Sequence, residues 1–305
     1  MSLHPSHSIK RNLLILHATV FVWGFTGILG ALISVSAVIL VWYRVLIAFV
    51  ALWAYFKATK TNFKLDRNTL FKLLLTGGIV GLHWILFFEA IKVSTVSVAL
   101  VCLSSLTLFT AILEPVFNRQ KISPLEIFTG ILIVAGICLI FKFESKYTLG
   151  IICGLSCALC ASLFSIINSK FIKKHPATVI SFYELGGAFI WISLFSLFTT
   201  DLKTAFFLHG PDLFYLVILG VLCTSVAYVA GVSVMRDLSA FRVALVTNLE
   251  PVYGILLAFI FFGKREQMTG GFYLGAVIIL TAVFMYPYLK TKVEKRRLSK
   301  QLPMG

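Results

Sequence analysis

The chain of 305 residues is 59% hydrophobic and only 13% charged, and its mean hydropathy is +0.96. Ordinary soluble domains carry roughly 25% charged residues, so a soluble core could not hide this much apolar surface. The composition excludes a soluble globular domain and predicts an all-α integral membrane protein. The net charge of +15 lies in short basic runs between apolar segments, which is typical of topology signals and argues against a nucleic-acid partner.

Ten apolar stretches are long enough to cross a bilayer, which takes about 20 mostly apolar residues per helix. The first stretch follows Lys10-Arg11 and exceeds the apolar core of a cleavable signal, about 7–15 residues, so we expect it to stay in place. The links between stretches are short. The predicted transmembrane helices are 13–33, 37–56, 70–91, 95–117, 124–143, 148–170, 177–198, 213–235, 240–262 and 269–289.

Lys and Arg are distributed unevenly between the two ends of these helices. Twenty lie on the side that holds both termini, six lie on the opposite side, and Arg44 lies within the membrane. Because cytoplasmic loops carry an excess of Lys and Arg, we predict that both termini are cytoplasmic. We expect a multi-pass protein of the cell (inner) membrane. Lys264-Arg265 is the one basic pair that this orientation places next to an outer helix end.

The two halves of the chain resemble each other. The segment 43–49 (YRVLIAF) returns 140 residues later as 183–189 (YELGGAF), and five predicted helices separate the copies. An odd number of crossings turns the second copy over in the membrane, and such inverted repeats are typical of secondary transporters. A further match joins 92–101 with 237–246 at an offset of 145. The sequence therefore predicts ten transmembrane helices as two inverted five-helix repeats.

Four motifs along these repeats occur in a recognisable order. They are Trp23-Gly24-Phe25 in the first helix, Arg44 in the second, Leu249-Glu250-Pro251-Val252 in the ninth and the turn 263–269 before the tenth. Together they resemble the EamA-type exporters of the drug/metabolite transporter superfamily. The resemblance covers about residues 11–290. It departs from the family at Ser104-Ser105, which faces Glu250-Pro251 in the repeat, and at Gln120, where Pro and Glu are common.

The resemblance implies a fold and a mode of action. Helices 1–4 and 6–9 would surround a central cavity, and helices 5 and 10 would lie outside it. Small metabolites would be exported by alternating access. The chain would divide into a first EamA-like repeat at 1–145, a second, inverted one at 146–290 and a basic cytoplasmic tail at 291–305.

Arg44 and Glu184 occupy the same position of the repeat with opposite charge. A charged side chain inside the membrane costs at least about 2.5–3.5 kcal/mol on insertion scales, so both should face protein or water. Both lie near the midplane at a rise of about 1.5 Å per residue. One hypothesis is a charged cavity that attracts a zwitterion or organic ion. The alternative is snorkelling or a purely structural pair.

The ninth helix holds a second polar group near the midplane. Pro251 removes a backbone donor and is expected to loosen the turn around Val246 and Thr247. Beside that turn, the Glu250 carboxylate could bind a substrate amine or carry a proton. The alternative is a structural cap on the freed backbone groups. Asn248 is a further polar candidate for the transport path.

Aromatic and polar residues complete the candidate site. His83 aligns with Tyr228 in the repeat, Phe87 lies one turn from His83, and Trp23 lies in the first helix. Such a lining suits amino acids or amphipathic metabolites, because cations can lie over aromatic faces. For His83 the alternative is a hydrogen bond to a neighbouring helix, and for the Trp23 region it is helix packing.

Other groups have two interpretations as well. Cys153, Cys157 and Cys160 share one helix face and could bind a soft metal, but small packing residues are the preferred reading, and we predict no metal. Gly271 and Gly275 could support a homodimer or packing within the chain.

The leading functional hypothesis is a secondary active transporter for a small organic metabolite, an amino acid or similar, and not an enzyme. The alternatives are a passive channel and a membrane enzyme. The sequence contains nothing that resembles a phosphate-binding loop, and we predict no cofactor. The expected partners are the lipid bilayer, the small-molecule substrate and a coupled proton.

Overall fold

The computed structural model describes residues 5–120, 124–199 and 207–301. Within these ranges the fold is all-helical, and ten helical segments follow the predicted spans closely. α1 is Pro5–Leu32, α2 Ala37–Thr59, α3 Arg67–Val93, α4 Val96–Leu103 and Leu106–Phe117, and α5 Pro124–Phe143. α6 is Thr148–Phe171, α7 Ala177–Thr199, α8 Asp212–Val234, α9 Ala240–Thr247 and Leu249–Phe262, and α10 Gly270–Gln301.

The helices have the length and polarity of membrane spans. In the described ranges nine of them are long and apolar enough to cross a bilayer, and α5 adds a shorter apolar run at Phe128–Phe143. Large apolar side chains point outward, such as Phe198 at 87% exposure and Ile260 at 75%. The protein is therefore a multi-pass membrane protein whose outer surface faces lipid, and the predicted fold class is confirmed. α10 continues to Gln301, beyond the predicted end at residue 289.

Three helices are irregular near the middle of the bundle. α4 is interrupted at Ser104-Ser105 and α9 at Asn248, next to the turn that Pro251 was expected to loosen. α8 widens into a π-helical segment at Val221–Val226. Such interruptions free backbone carbonyls, and inside a membrane protein they are tolerated where the backbone is buried or lines a cavity.

Two carboxylates bind the first turns of the broken helices, each from the other half of the chain. Glu266 accepts hydrogen bonds from the backbone N–H groups of Val96 and Ser97 at 3.1 and 2.9 Å, and from the Ser97 hydroxyl at 2.6 Å. Glu114 accepts one from the backbone N–H of Phe241 at 3.0 Å. Phe241 aligns with Val96 at the repeat offset of 145. A negative group at a helix N-terminus satisfies donors that have no partner within the helix.

Side-chain hydrogen bonds tie the links together at both ends of the bundle. At the end that we call the Glu266 face, Asp212 accepts from the backbone and hydroxyl of Ser34, and Lys92 donates to the carbonyl of Ile33. At the opposite end, the Glu114 face, Asn12 donates to Asp237 at 2.5 Å. Polar contacts thus join the links between helices at both ends of the bundle.

Glycines allow two close helix contacts. A Cβ atom on Gly187 of α7 would lie 2.5 Å from the Leu74 carbonyl oxygen of α3, so these two backbones pack directly. A Cβ on Gly275 of α10 would lie 2.7 Å from the Gly136 carbonyl oxygen of α5, and Gly271 faces Phe143. The Gly271–Gly275 pattern therefore serves packing within the chain, consistent with one of its two interpretations.

Candidate binding cavity

A cavity lies at the centre of the bundle, beside the breaks in α4 and α9. Its volume is about 80 Å³, and one water needs about 10–15 Å³, so it has room for several waters. Its described lining comes from α1–α4, α6, α8 and α9. α5 and α10 contribute no described residue, as the resemblance implied, whereas α7, which the resemblance also placed around the cavity, contributes none either. Six predicted site residues line it: Trp23, Arg44, His83, Phe87, Tyr228 and Glu250.

Arg44 supplies the cavity with a positive charge. Its side chain is 1% exposed, and its Nε donates to the Thr224 hydroxyl at 2.5 Å. Thr224 lies in the π-helical segment of α8, and its hydroxyl in turn donates to the Leu219 carbonyl at 2.6 Å. The guanidinium carbon lies 4.3 Å from the centre of the Trp84 ring, a cation–π distance.

The guanidinium still has unused binding capacity. Its Nη1 has no hydrogen-bond partner among the described residues, and none of their carboxylates lies within 4.0 Å of it. A buried guanidinium without a counter-ion is costly. Because guanidinium groups match carboxylates in geometry, Arg44 is suited to bind an anionic group inside the cavity.

Glu250 supplies the cavity with a carboxyl group. It lies in the first turn of the second segment of α9, just after the break at Asn248, and is 6% exposed. The N-terminus of a helical segment favours a carboxylate at this position. Arg44 and Glu250 thus place a guanidinium and a carboxyl group in one cavity without forming an ion pair between them.

Aromatic rings form much of the remaining wall. The ring of His83 lies 5.3 Å from that of Phe164, and Trp84 lies 5.6 Å from Tyr228. His83 also hydrogen-bonds the Cys157 carbonyl on α6 at 3.0 Å through Nδ1. The histidine therefore both lines the cavity and makes the interhelical bond that was its alternative interpretation.

Two predicted site residues lie outside the cavity lining. Glu184 is fully buried behind Tyr228, whose hydroxyl donates to it at 2.8 Å. Asn248 donates to the Ala244 carbonyl at 2.9 Å and to the Thr107 hydroxyl. Asn248 therefore joins the broken region of α9 to the second segment of α4 and does not point into the free space.

The structure adds residues around the cavity that the sequence did not single out. Trp84 and Phe164 line it and contact Arg44 and His83 respectively. Thr224 lies outside the lining and bonds to Arg44. For Trp84 the sequence did offer a signal, because this aromatic residue directly follows His83. For Thr224 it offered none, because nothing in the sequence marks the π-helical turn that presents this residue. Among the described residues no group of three or more His, Cys, Asp or Glu could hold a metal ion.

Comparison with known proteins agrees with this architecture. The chain matches a solved structure titled "Crystal structure of protein" with a TM-score of 0.69 at 15% identity, covering 92% of this chain and 98% of that one. At this identity the match shows the fold alone. The fold defines the class as a multi-pass membrane protein, with ten helical segments in the described ranges.

The family follows from the sequence comparison. The model of the EamA-like transporter family matches residues 10–142 and 148–286, and the chain belongs to this family. The predicted resemblance is confirmed. A WAT1-related protein of Arabidopsis thaliana is 23% identical over 145 residues. That match covers 47% of this chain and 38% of the relative, so the chain aligns with well under half of that protein's length.

Proposed function

We propose that this transporter moves a zwitterionic metabolite, an amino acid or a close analogue, by alternating access. One observation carries the proposal: Arg44, with an unused donor, and Glu250 line the same cavity without pairing with each other. A substrate carboxylate fits the guanidinium. A substrate ammonium fits Glu250 and the aromatic faces of the wall. A zwitterion would offset both buried charges at once.

The two related halves support alternating access. Two bundles of related fold can rock around a site near the midplane, and the substrate shifts the balance between states only if it binds them differently. Each broken helix lies beside the cavity and is held at its first turn by a carboxylate of the other half. Movement of one half against the other would break or form these contacts.

A matched panel of ligands tests the substrate class. The purified protein is heated in detergent with each proteinogenic L-amino acid, with its decarboxylated amine and with its deaminated acid. We expect one or more amino acids to raise the unfolding temperature and both matched derivatives to fail, because each leaves one charge in the cavity unpaired. The same amino acids inside proteoliposomes should accelerate uptake of the labelled compound. An amine or acid that stabilises as well as its parent amino acid contradicts zwitterion binding.

We further propose export across the cell membrane, with both termini in the cytoplasm. Supporting this orientation, the Glu114 face is the more basic end, following the distribution of Lys and Arg in the sequence. Lys60→Cys and Lys146→Cys are a matched pair of exposed positions at opposite ends. An impermeant thiol reagent added to intact cells should label position 146 and spare position 60. Labelling at position 60 alone would reverse the orientation.

A saturable uptake that trans substrate accelerates also separates a carrier from the alternative functions. A passive channel gives conductance without saturation. A membrane enzyme would convert the amino acid, and product analysis in the same vesicles would detect it.

A further inference from the structure

Glu184 forms a polar cluster behind the cavity wall. Its side chain is 0% exposed. Oε2 accepts hydrogen bonds from the Tyr228 hydroxyl at 2.8 Å and from the amide nitrogen of Asn168 at 3.2 Å. The same amide nitrogen lies 3.2 Å from the Tyr228 hydroxyl oxygen. Three side chains from α6, α7 and α8 therefore meet inside the protein.

This cluster lacks hydrogen-bond donors. Glu184 Oε1 and Asn168 Oδ1 are both buried without a partner among the described residues. No described Lys, Arg or His nitrogen lies within 4.0 Å of the carboxyl group. Buried acceptors are normally satisfied, and an ionised carboxylate without a counter-ion is strongly disfavoured inside a membrane protein. One proton on Glu184 removes the charge and adds a donor to the cluster.

Tyr228 connects the cluster to the cavity. Its ring is part of the cavity wall, and its hydroxyl contacts Glu184. Among the described residues it is the titratable group in contact with that carboxyl. Other titratable or charged groups lie on the neighbouring helices: Tyr43 and Arg44 on α2, Lys72 and His83 on α3 and Lys170 on α6. Arg44 bonds to Thr224, His83 to the Cys157 carbonyl and Lys170 to the Phe117 carbonyl. Tyr228 is therefore the side chain through which the Glu184 carboxyl is connected to the cavity.

We propose that Glu184 is a proton-binding site that exchanges with cavity water past Tyr228 and carries the proton coupled to transport. In the binding step a hydronium ion gives H⁺ to the carboxylate, which leaves a neutral carboxylic acid and one water. The reverse step releases H⁺ to water on the other side of the membrane. The site itself rests on the cluster geometry, and its coupling role rests on the proposed transport function.

Infrared difference spectroscopy tests the site without any substrate. Reconstituted full-length protein is titrated with acid and base, and the carbonyl band of protonated carboxylic acids is followed. We expect a band that Glu184→Gln removes and that Glu89→Gln, a half-buried carboxyl on α3 away from the cluster, leaves in place. Tyr228→Phe keeps the ring and should shift the pH midpoint of the band. A titrating band of undiminished intensity in Glu184→Gln overturns the site, as does an unchanged midpoint in Tyr228→Phe.

A second measurement tests the coupling. Vesicles containing a pH-sensitive dye receive the amino acids that pass the thermal panel, and proton movement is recorded beside amino-acid movement. Wild-type protein should move both, whereas Glu184→Gln should exchange amino acids with loss of the proton signal. Equal proton movement in both proteins overturns the coupling role. If no amino acid is transported while the carboxyl band behaves as expected, the substrate proposal fails and the proton site stands.

Discussion

The two broken helices, α4 and α9, differ in what they place at matching points of the repeat. Ser104 and Ser105 of α4 donate back to carbonyls of their own helix, at Leu100 and Cys102. At the corresponding place α9 carries Glu250 and Pro251, and Glu250 lines the cavity. In the first half the polar side chains at the break thus bond within their own helix, whereas in the second half the Glu250 carboxyl group faces the cavity. The halves share a scaffold while the chemistry of the cavity is asymmetric.

The largest effect is expected at the two carboxylates that bind the first turns of α4 and α9. Glu266→Ala leaves the buried N–H groups of Val96 and Ser97 without their acceptor, and each unsatisfied group costs about 1–3 kcal/mol. We expect a loss of about 3 kcal/mol in the free energy of unfolding. Glu114→Ala affects a half-buried cap at the membrane end, where water can replace it, so its loss should be smaller. Thermal unfolding in one detergent ranks the two variants, and the reverse order contradicts this account.

The charge in α9 should matter most for binding. Glu250→Gln keeps the size of the side chain and removes its charge. Loss of one partner of a buried charge pair costs about 2 kcal/mol or more, which weakens binding roughly 30-fold. Titration of the amino acids that stabilise the wild type measures this change. Size-exclusion chromatography of the variant should show a folded protein, and unchanged affinity would remove Glu250 from the site.

A direct link between the two breaks gives a smaller effect. Asn248 in the break of α9 donates to the hydroxyl of Thr107 just after the break of α4. Interhelical side-chain bonds in membrane proteins contribute about 0.6 kcal/mol on average in double-mutant cycles. We therefore expect Asn248→Leu and Thr107→Val to be non-additive by about this amount. Unfolding measurements on the two single variants and the double variant give the coupling, and full additivity would show that the breaks are independent.

The sequence predicted one break better than the other for a physical reason. Pro251 cannot donate a backbone hydrogen bond, so a loosened turn in α9 follows from its chemistry. Ser104-Ser105 carries no such signal, because serine is tolerated in helices and can bond to a preceding carbonyl. The sequence likewise gave no sign of the π-helical segment of α8, although this segment presents the Thr224 hydroxyl that bonds to Arg44.

Charge placement shows the same limit of inference from the sequence. The count and order of the ten helices follow from apolar length, and the depth of a charge follows from its position along a helix. Arg44 and Glu184 were therefore both expected near the midplane. The direction in which each points depends on packing against other helices, where Tyr228 and Asn168 enclose Glu184. Sequence spacing alone could not separate a cavity charge from one behind the wall.

The serines of α4 provide the smallest expected effect and the strictest test of asymmetry. Ser104→Ala and Ser105→Ala remove hydroxyls that bond within their own helix, so unfolding free energies should stay within about 0.5 kcal/mol of the wild type. Amino-acid affinity should not change, although these residues match Glu250-Pro251 in the repeat. A loss of affinity as large as that of Glu250→Gln would mean that both breaks bind substrate. Because the two serine substitutions leave Glu250 intact, normal binding in these variants would show that the break of α9, and not that of α4, takes part in recognising the ammonium group.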